Sequence, residues 1–67
     1  MKIVIECELD VADPDNTRRL LAAQVSQIDG VLHVFENSSS GYRPVGWKRE
    51  TRDQEDRVIG RAEIRES

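Results

Sequence analysis

The first nine residues alternate between apolar and polar positions. Ile3, Ile5, Cys7 and Leu9 fall on one side of an extended chain, and the other side carries Lys2, Val4, Glu6 and Glu8, of which three are charged. A period of two with β-branched residues is typical of a strand that buries one face. The pattern therefore predicts a strand over residues 2–9.

The next segment has the features of a helix start. Asp13 is suited to an N-cap, because its carboxylate can accept a free backbone N–H, and Pro14 lacks the N–H that would otherwise go unpaired. Apolar residues at Leu21, Val25 and Ile28 then recur with helical spacing. Gly30 stands where helices commonly end in a left-handed residue, so the predicted helix runs from Pro14 to about Ile28.

Three further strands are predicted after this helix. Residues 31–36 form the first, a cluster of polar residues at 37–41 forms a turn, and residues 42–48 are extended, with Pro44 indicating an edge strand. Alternation over residues 57–65 predicts the last strand. The alternative is one long helix over about 48–66, in which Gly60 would cost about 1 kcal/mol.

Together these elements predict a single α+β domain over residues 1–67, with the order β-α-β-β-β and one helix on one face of a four-stranded sheet. The step from Ile28 through Gly30 to Val31 and Val34 resembles the helix-to-strand corner of ferredoxin-like domains, such as small metal chaperones and ACT-type regulatory modules. The resemblance implies a degenerate ferredoxin-like fold. The paired-cysteine loop of the metal chaperones is absent, so their chemistry is not implied.

The predicted core combines the apolar positions of all five elements. Its thirteen members are Ile3, Ile5, Cys7, Leu9, Leu21, Val25, Ile28, Val31, Val34, Val45, Trp47, Val58 and Ile64. Trp47 could instead join an exposed aromatic group. A core of this size leaves a domain of 67 residues marginally stable, so association with another chain is a natural supplement.

The composition and charge of the chain argue against several classes of function. The net charge is −3, and nearly every basic residue has an acidic neighbour, so a nucleic-acid partner is not expected. No apolar run approaches the roughly 20 residues of a membrane span, and no signal peptide is recognised. One cysteine and one histidine give neither an internal disulfide nor the usual zinc ligand set, so we expect a cytoplasmic protein without metal or cofactor.

The candidate binding residues lie on the predicted strands. His33 and Phe35 are expected on the helix-free face of the sheet, with Tyr42 beside them. Arg57 and Arg61 begin a row of arginines along the last strand, where Glu6 and Glu8 are possible cross-strand partners.

These features favour a non-enzymatic binding protein: an adaptor, inhibitor or regulator that presents its helix-free sheet face to a protein partner or to its own copy. The alternative is an ACT-like sensor that holds a small ligand between subunits. No residue is assigned a catalytic role, and an enzyme using His33 with Glu6 is the least favoured hypothesis.

Overall fold

The computed structural model describes residues 1–67 and contains one helix and three strands. In chain order these are β1 (Lys2–Cys7), α1 (Pro14–Asn37), β2 (Lys48–Arg52) and β3 (Val58–Arg65). The strands form one antiparallel sheet in the order β1-β3-β2, and α1 packs against β1 and β3 but not against β2. The predicted α+β class is confirmed, whereas the predicted four-stranded sheet is wrong.

The strands β1 and β3 form the floor on which the helix lies. Ile3 is opposite Ile64, Ile5 is opposite Ala62, and Cys7 is opposite Gly60. Directly opposed residues of antiparallel strands point to the same side of the sheet. The apolar row predicted at the start of the chain therefore faces the helix, as the alternation indicated.

The helix begins as predicted and ends nine residues later than predicted. Asp13 accepts the backbone N–H of Asn16 at 3.3 Å, and Pro14 is the first helical residue. The helix continues through Gly30 because Val31, Leu32 and Phe35 extend the apolar stripe of Ile28 at helical spacing.

The predicted strand over residues 31–36 is therefore wrong, and with it the ferredoxin-like fold. The predicted strand over residues 42–48 is also wrong, because a turn with Gly46 at φ 94° precedes β2. The polar residues that follow, for which the sequence predicts no strand, form β2 with Lys48. The last strand is confirmed, since β3 covers Val58–Arg65.

A hairpin joins β2 to β3. The Asp53 carboxylate accepts the backbone N–H groups of Glu55 and Arg57, each at 2.9 Å, and it also accepts the Arg57 Nε–H at 2.9 Å. Asp56 has a φ of 65°, a left-handed conformation that Asp tolerates better than most residues. The β2–β3 register shifts between Thr51, which pairs with Gly60, and Arg52, which pairs with Val58, so Ile59 is the extra residue of a bulge in β3.

The buried core is smaller than the sequence predicts. Ile28, Ala62 and Ile64 are the hydrophobic residues fully buried between the helix and the sheet. Six members of the predicted core are substantially exposed, namely Ile3, Leu9, Leu21, Val25, Val34 and Val45. The single helix covers only two of three strands, so it cannot shield all of these side chains.

The shape of the molecule reflects this thin core. Its extents are 45 × 20 × 17 Å and its Cα radius of gyration is 13.5 Å, whereas a compact domain of this length has a radius of about 11 Å. The accessible surface is 5101 Å², against about 4,300 Å² for a compact monomer of the same mass. The excess surface includes much of the apolar area that the sequence assigned to the core.

Candidate protein-binding surface

One face of the sheet carries no helix. This open face consists of every second strand residue, those whose side chains point away from α1. They are Lys2, Val4 and Glu6 of β1, Val58, Arg61, Glu63 and Arg65 of β3, and Lys48, Glu50 and Arg52 of β2. It combines five basic side chains with three acidic ones, a net charge of +2, although the whole chain carries −3. Val4 and Val58, the latter opposite Arg52, are its apolar members, and the other eight residues are charged, so the surface is suited mainly to polar contacts.

Ion pairs organise the β2 and β3 rows of the open face. Arg52 donates to Glu50 at 3.0 Å, and the Arg61 guanidinium lies 4.0 Å from the other oxygen of the same carboxylate. Lys2 and Lys48 make no ion pair within the chain. Their charges are free for contact with a partner.

Glu63 lies at the centre of the open face. Its side chain accepts the Arg65 Nε–H at 2.7 Å, and its residue is only 9% exposed. This hydrogen bond and the charges of Arg65, Lys48 and Arg61 hold the pKa of Glu63 below its usual range, against the opposing effect of desolvation. Glu63 therefore favours its ionised form, and its carboxylate holds the Arg65 side chain by a direct ion pair.

The predicted binding residues separate into two groups. Arg61 lies on the open face, opposite Glu6 in the β1–β3 ladder as predicted, but its ion pair is with Glu50 of β2 and not with Glu6. His33 is exposed on the last turns of α1 and Phe35 is half-buried there, so neither lies on the helix-free face. Tyr42 lies in the loop before β2, where it is 40% exposed, and Arg57 lies in the hairpin, paired with Asp53.

The helix-covered face carries a polar contact at its centre. The Cys7 thiol donates to the Gln24 side-chain oxygen at 2.8 Å, and partial burial raises the pKa of Cys7. The thiol is therefore protonated at neutral pH, which is the unreactive form. Gln24 is 1% exposed, and its Nε2 has no hydrogen-bond partner.

Trp47 lies beside the part of the sheet that the helix leaves uncovered. It is half-buried, and the Arg49 guanidinium stacks over its ring with 5.4 Å between the guanidinium carbon and the ring centroid. The tryptophan is thus neither a central core residue nor part of an aromatic group with Phe35 and Tyr42.

The two clefts of the molecule are shallow and polar. One, of about 340 Å³, lies between the start of α1 and the β2–β3 hairpin, with Asp10, Thr17, Asp53 and Arg57 in its wall. The other, of about 310 Å³, lies at the end of β1 beside Arg61. No group of three or more His, Cys, Asp or Glu side chains is arranged to hold a metal ion. The one helix lacks the long apolar stretch that crossing a membrane requires.

No family model, no curated protein and no solved structure matches the chain significantly. The site is therefore described by its own residues alone.

Sequence reasoning missed the β2 part of the open face. Lys48 was placed at the end of the predicted strand over 42–48, and no strand was predicted at Glu50 and Arg52, although the spacing of two residues is the period of a strand. Wholly polar strands are recognised only when a paired neighbour is known, because propensity alone does not separate them from loops.

Proposed function

We propose that the chain is a small non-enzymatic binding protein, an adaptor, inhibitor or regulator, that binds an acidic surface of a partner protein through its open face. The observation that carries the proposal is the reversed charge of that face, +2 on a chain of −3. Concentrating basic groups on one face steers association with acidic partners and disfavours basic ones.

The arrangement of the arginines supports protein recognition. Glu50 pairs with Arg52 and Arg61, and Glu63 pairs with Arg65, so these guanidinium groups are partly ordered before they meet the carboxylates of a partner. A continuous phosphate-binding surface would lack the three interspersed carboxylates. We place this activity in the cytoplasm, where a free thiol such as Cys7 stays reduced.

The ACT-like alternative was inferred from a βαβ unit within the first 36 residues, a segment in which the structure has only β1 and most of α1. The pairing of His33 with Glu6 for catalysis has no geometric support either, because the two lie on different layers of the molecule. No observation favours a second function over binding.

Charge neutralisation tests the proposal. The double variant Lys48→Gln/Arg61→Gln removes two positive charges from the open face, and the matched control Arg18→Gln/Arg19→Gln removes two from the exposed side of α1. Immobilised wild type and both variants would be incubated with extract of the encoding cell over a series of salt concentrations. We expect wild type and the control to retain the same acidic proteins, with retention falling as salt rises, and the open-face variant to lose them.

Retention of the same proteins by all three forms would overturn the proposal, as would retention that salt does not weaken.

A further inference from the structure

The outer edge of β1 has no partner strand. The sheet order places β1 at one end, and α1 lies over its face rather than along its edge. None of the backbone hydrogen bonds made outside helices and strands involves residues 2–7. An exposed edge of this kind is a template for pairing with another chain.

Exposed apolar side chains accompany this edge. Ile3 of β1 is 45% exposed, and Leu21 and Val25 of α1 are 46% and 50% exposed. These three residues are called the edge patch below. They belong to the predicted core, yet the chain leaves about half of each residue exposed.

Contacts of the helix show that Leu21 and Val25 face the β1 edge. Leu20 and Gln24 lie over β3, where a Cβ at Gly60 would meet Leu20 Cδ1 at 3.1 Å and Gln24 Nε2 at 2.7 Å, and Gln24 also reaches Cys7 of β1. Each following residue is turned by about 100° around the helix axis. Around the helix, the side chains thus pass from Leu20 over β3, through Gln24, which reaches β1, to Leu21 and Val25. These last two lie toward the outer edge of β1.

We propose that a second copy of this chain covers the β1 edge, so that two sheets join through antiparallel pairing of β1 with β1. The two copies would be related by a two-fold axis perpendicular to the sheet, and the joined sheet would have six strands. A two-fold interface presents the same residues from both copies, so the strand must be complementary to itself.

The sequence of β1 meets that requirement in the register centred on Val4. Lys2 and Glu6 are equally far from Val4, so each Lys2 lies opposite the Glu6 of the other copy and two opposite-charge pairs form. In the same register Ile3 lies opposite Ile5 of the other copy on the helix-covered side. The helices then lie on the same side of the joined sheet, and Leu21 and Val25 of the two copies extend the apolar contact.

The area that the chain leaves exposed agrees with this arrangement. Its accessible surface of 5101 Å² exceeds that of a compact monomer by about 800 Å². A standard protein–protein interface removes about 800 Å² from each partner. One interface of ordinary size therefore accounts for the whole excess.

Sedimentation with matched valine variants tests the interface. Val25→Glu places a charge in the edge patch, and Val34→Glu makes the same change on the same helix at a position that is 61% exposed and off the patch. We expect wild type and Val34→Glu to sediment at twice 7.7 kDa. Val25→Glu should stay folded by circular dichroism, because its side chain is exposed in the single chain, and should dissociate about a hundredfold more readily.

Cysteine crosslinking tests the proposed β1–β1 register, again by comparing one variant with a matched control. In a Cys7→Ser background, Val4→Cys places a thiol at the two-fold axis, where directly opposed Cβ atoms are about 4.5–5.5 Å apart. The control Glu50→Cys places a thiol on the opposite edge strand. Mild oxidation should link Val4→Cys into covalent dimers and leave Glu50→Cys unlinked.

A monomeric wild type, equal association of the two valine variants, or equal crosslinking of the two cysteine variants would each overturn the proposal. The interface does not depend on the proposed function, because Lys48→Gln/Arg61→Gln changes neither the β1 edge nor the edge patch. That variant should remain dimeric whether or not it binds a partner.

Discussion

The two outer edges of the sheet differ in how they are protected. Four of the five residues of β2 are charged, the bulge at Ile59 of β3 interrupts its pairing after Thr51, and the strand is short. The six residues of β1 include only two charges, and no bulge interrupts its register with β3. Charges, bulges and short length are the features by which natural edge strands avoid unwanted pairing. The molecule applies them at β2 and omits them at β1.

The difference shows how so small a chain can combine solubility with specific association. The helix spreads its apolar side over β1 and β3 and leaves β2 to charged residues. One edge of the sheet is thus suited to water and the other to a partner. If the two edges differ in this way, substitutions at β1 and at β2 should change the free energy of unfolding by different amounts, and the largest expected effect comes first.

The residues on either side of Ala62 give the most direct energetic comparison. Ile5 of β1 and Arg49 of β2 both lie opposite Ala62 on the helix side of the sheet. Ile5→Ala should lower the free energy of unfolding by about 2 kcal/mol, because a half-buried isoleucine is truncated. Arg49→Ala should cost about 0.5–1 kcal/mol, the contribution of its stacking on Trp47.

Urea unfolding of both variants at one protein concentration measures these costs. Equal losses would show that β1 is no more important to stability than β2.

Gln24 tests the helix contact beneath β1. Its Nε2 is buried without a partner, and a buried unsatisfied donor costs roughly 1–3 kcal/mol. Gln24→Met keeps the side-chain length and removes that donor, so we expect the variant to gain about 1 kcal/mol. Thermal unfolding at fixed concentration is the measurement. A loss of stability would mean that the amide's contact with the Cys7 thiol outweighs the unsatisfied group.

The variant Gly30→Ala tests the stability of the helix independently of association through the edge patch. A Cβ added at Gly30 would meet nothing within 4 Å, and its φ is not in the left-handed region. Gly30→Ala should therefore raise the unfolding free energy by about 0.5–1 kcal/mol through backbone entropy alone. The dissociation constant of the dimer should not change, since Gly30 lies away from Leu21 and Val25. An altered dissociation constant would place the interface elsewhere on α1.

Acid should affect the β2 side of the sheet. Backbone hydrogen bonds from Arg57, followed by its side-chain hydrogen bond, hold the pKa of Asp53 below its ordinary value despite desolvation. A lowered folded-state pKa gives stability that is present above the unfolded value and is lost as the pH falls through the folded one. Stability should therefore be constant down to about pH 4 and decrease below it.

Asp53→Asn should be less stable than wild type at neutral pH and show a smaller decrease in acid. Parallel pH profiles for the two proteins would contradict the assignment.

The sequence predicted the parts of the fold that local rules determine. The alternation in β1, the cap at Asp13 and the alternation in β3 each produced the expected element. The end of α1 could not be read in the same way, because Gly30 followed by Val31 and Val34 suits a helix stop before a strand as well as a helix that continues. Only packing of Val31 and Phe35 decides between them, and that is a tertiary effect.

The candidate binding residues were placed correctly only where their segment of secondary structure was predicted correctly. Arg61 was placed correctly because its strand was predicted correctly, whereas His33 and Phe35 moved to α1 with the misassigned segment. The edge patch was missed for a further reason. Its residues have the spacing of core positions, and hydrophobic periodicity does not distinguish a side chain buried within its own chain from one buried against another.

Amide hydrogen exchange at two protein concentrations tests the central claim, that β1 is the pairing edge and β2 is not. Exchange of the amides of residues 2–6 should slow markedly in concentrated solution relative to dilute solution, because the outward-facing ones become hydrogen-bonded to the second copy. The amides of residues 48–52 should exchange at the same rate at both concentrations. Equal behaviour of the two edges, or protection that appears at β2 alone, would contradict the account.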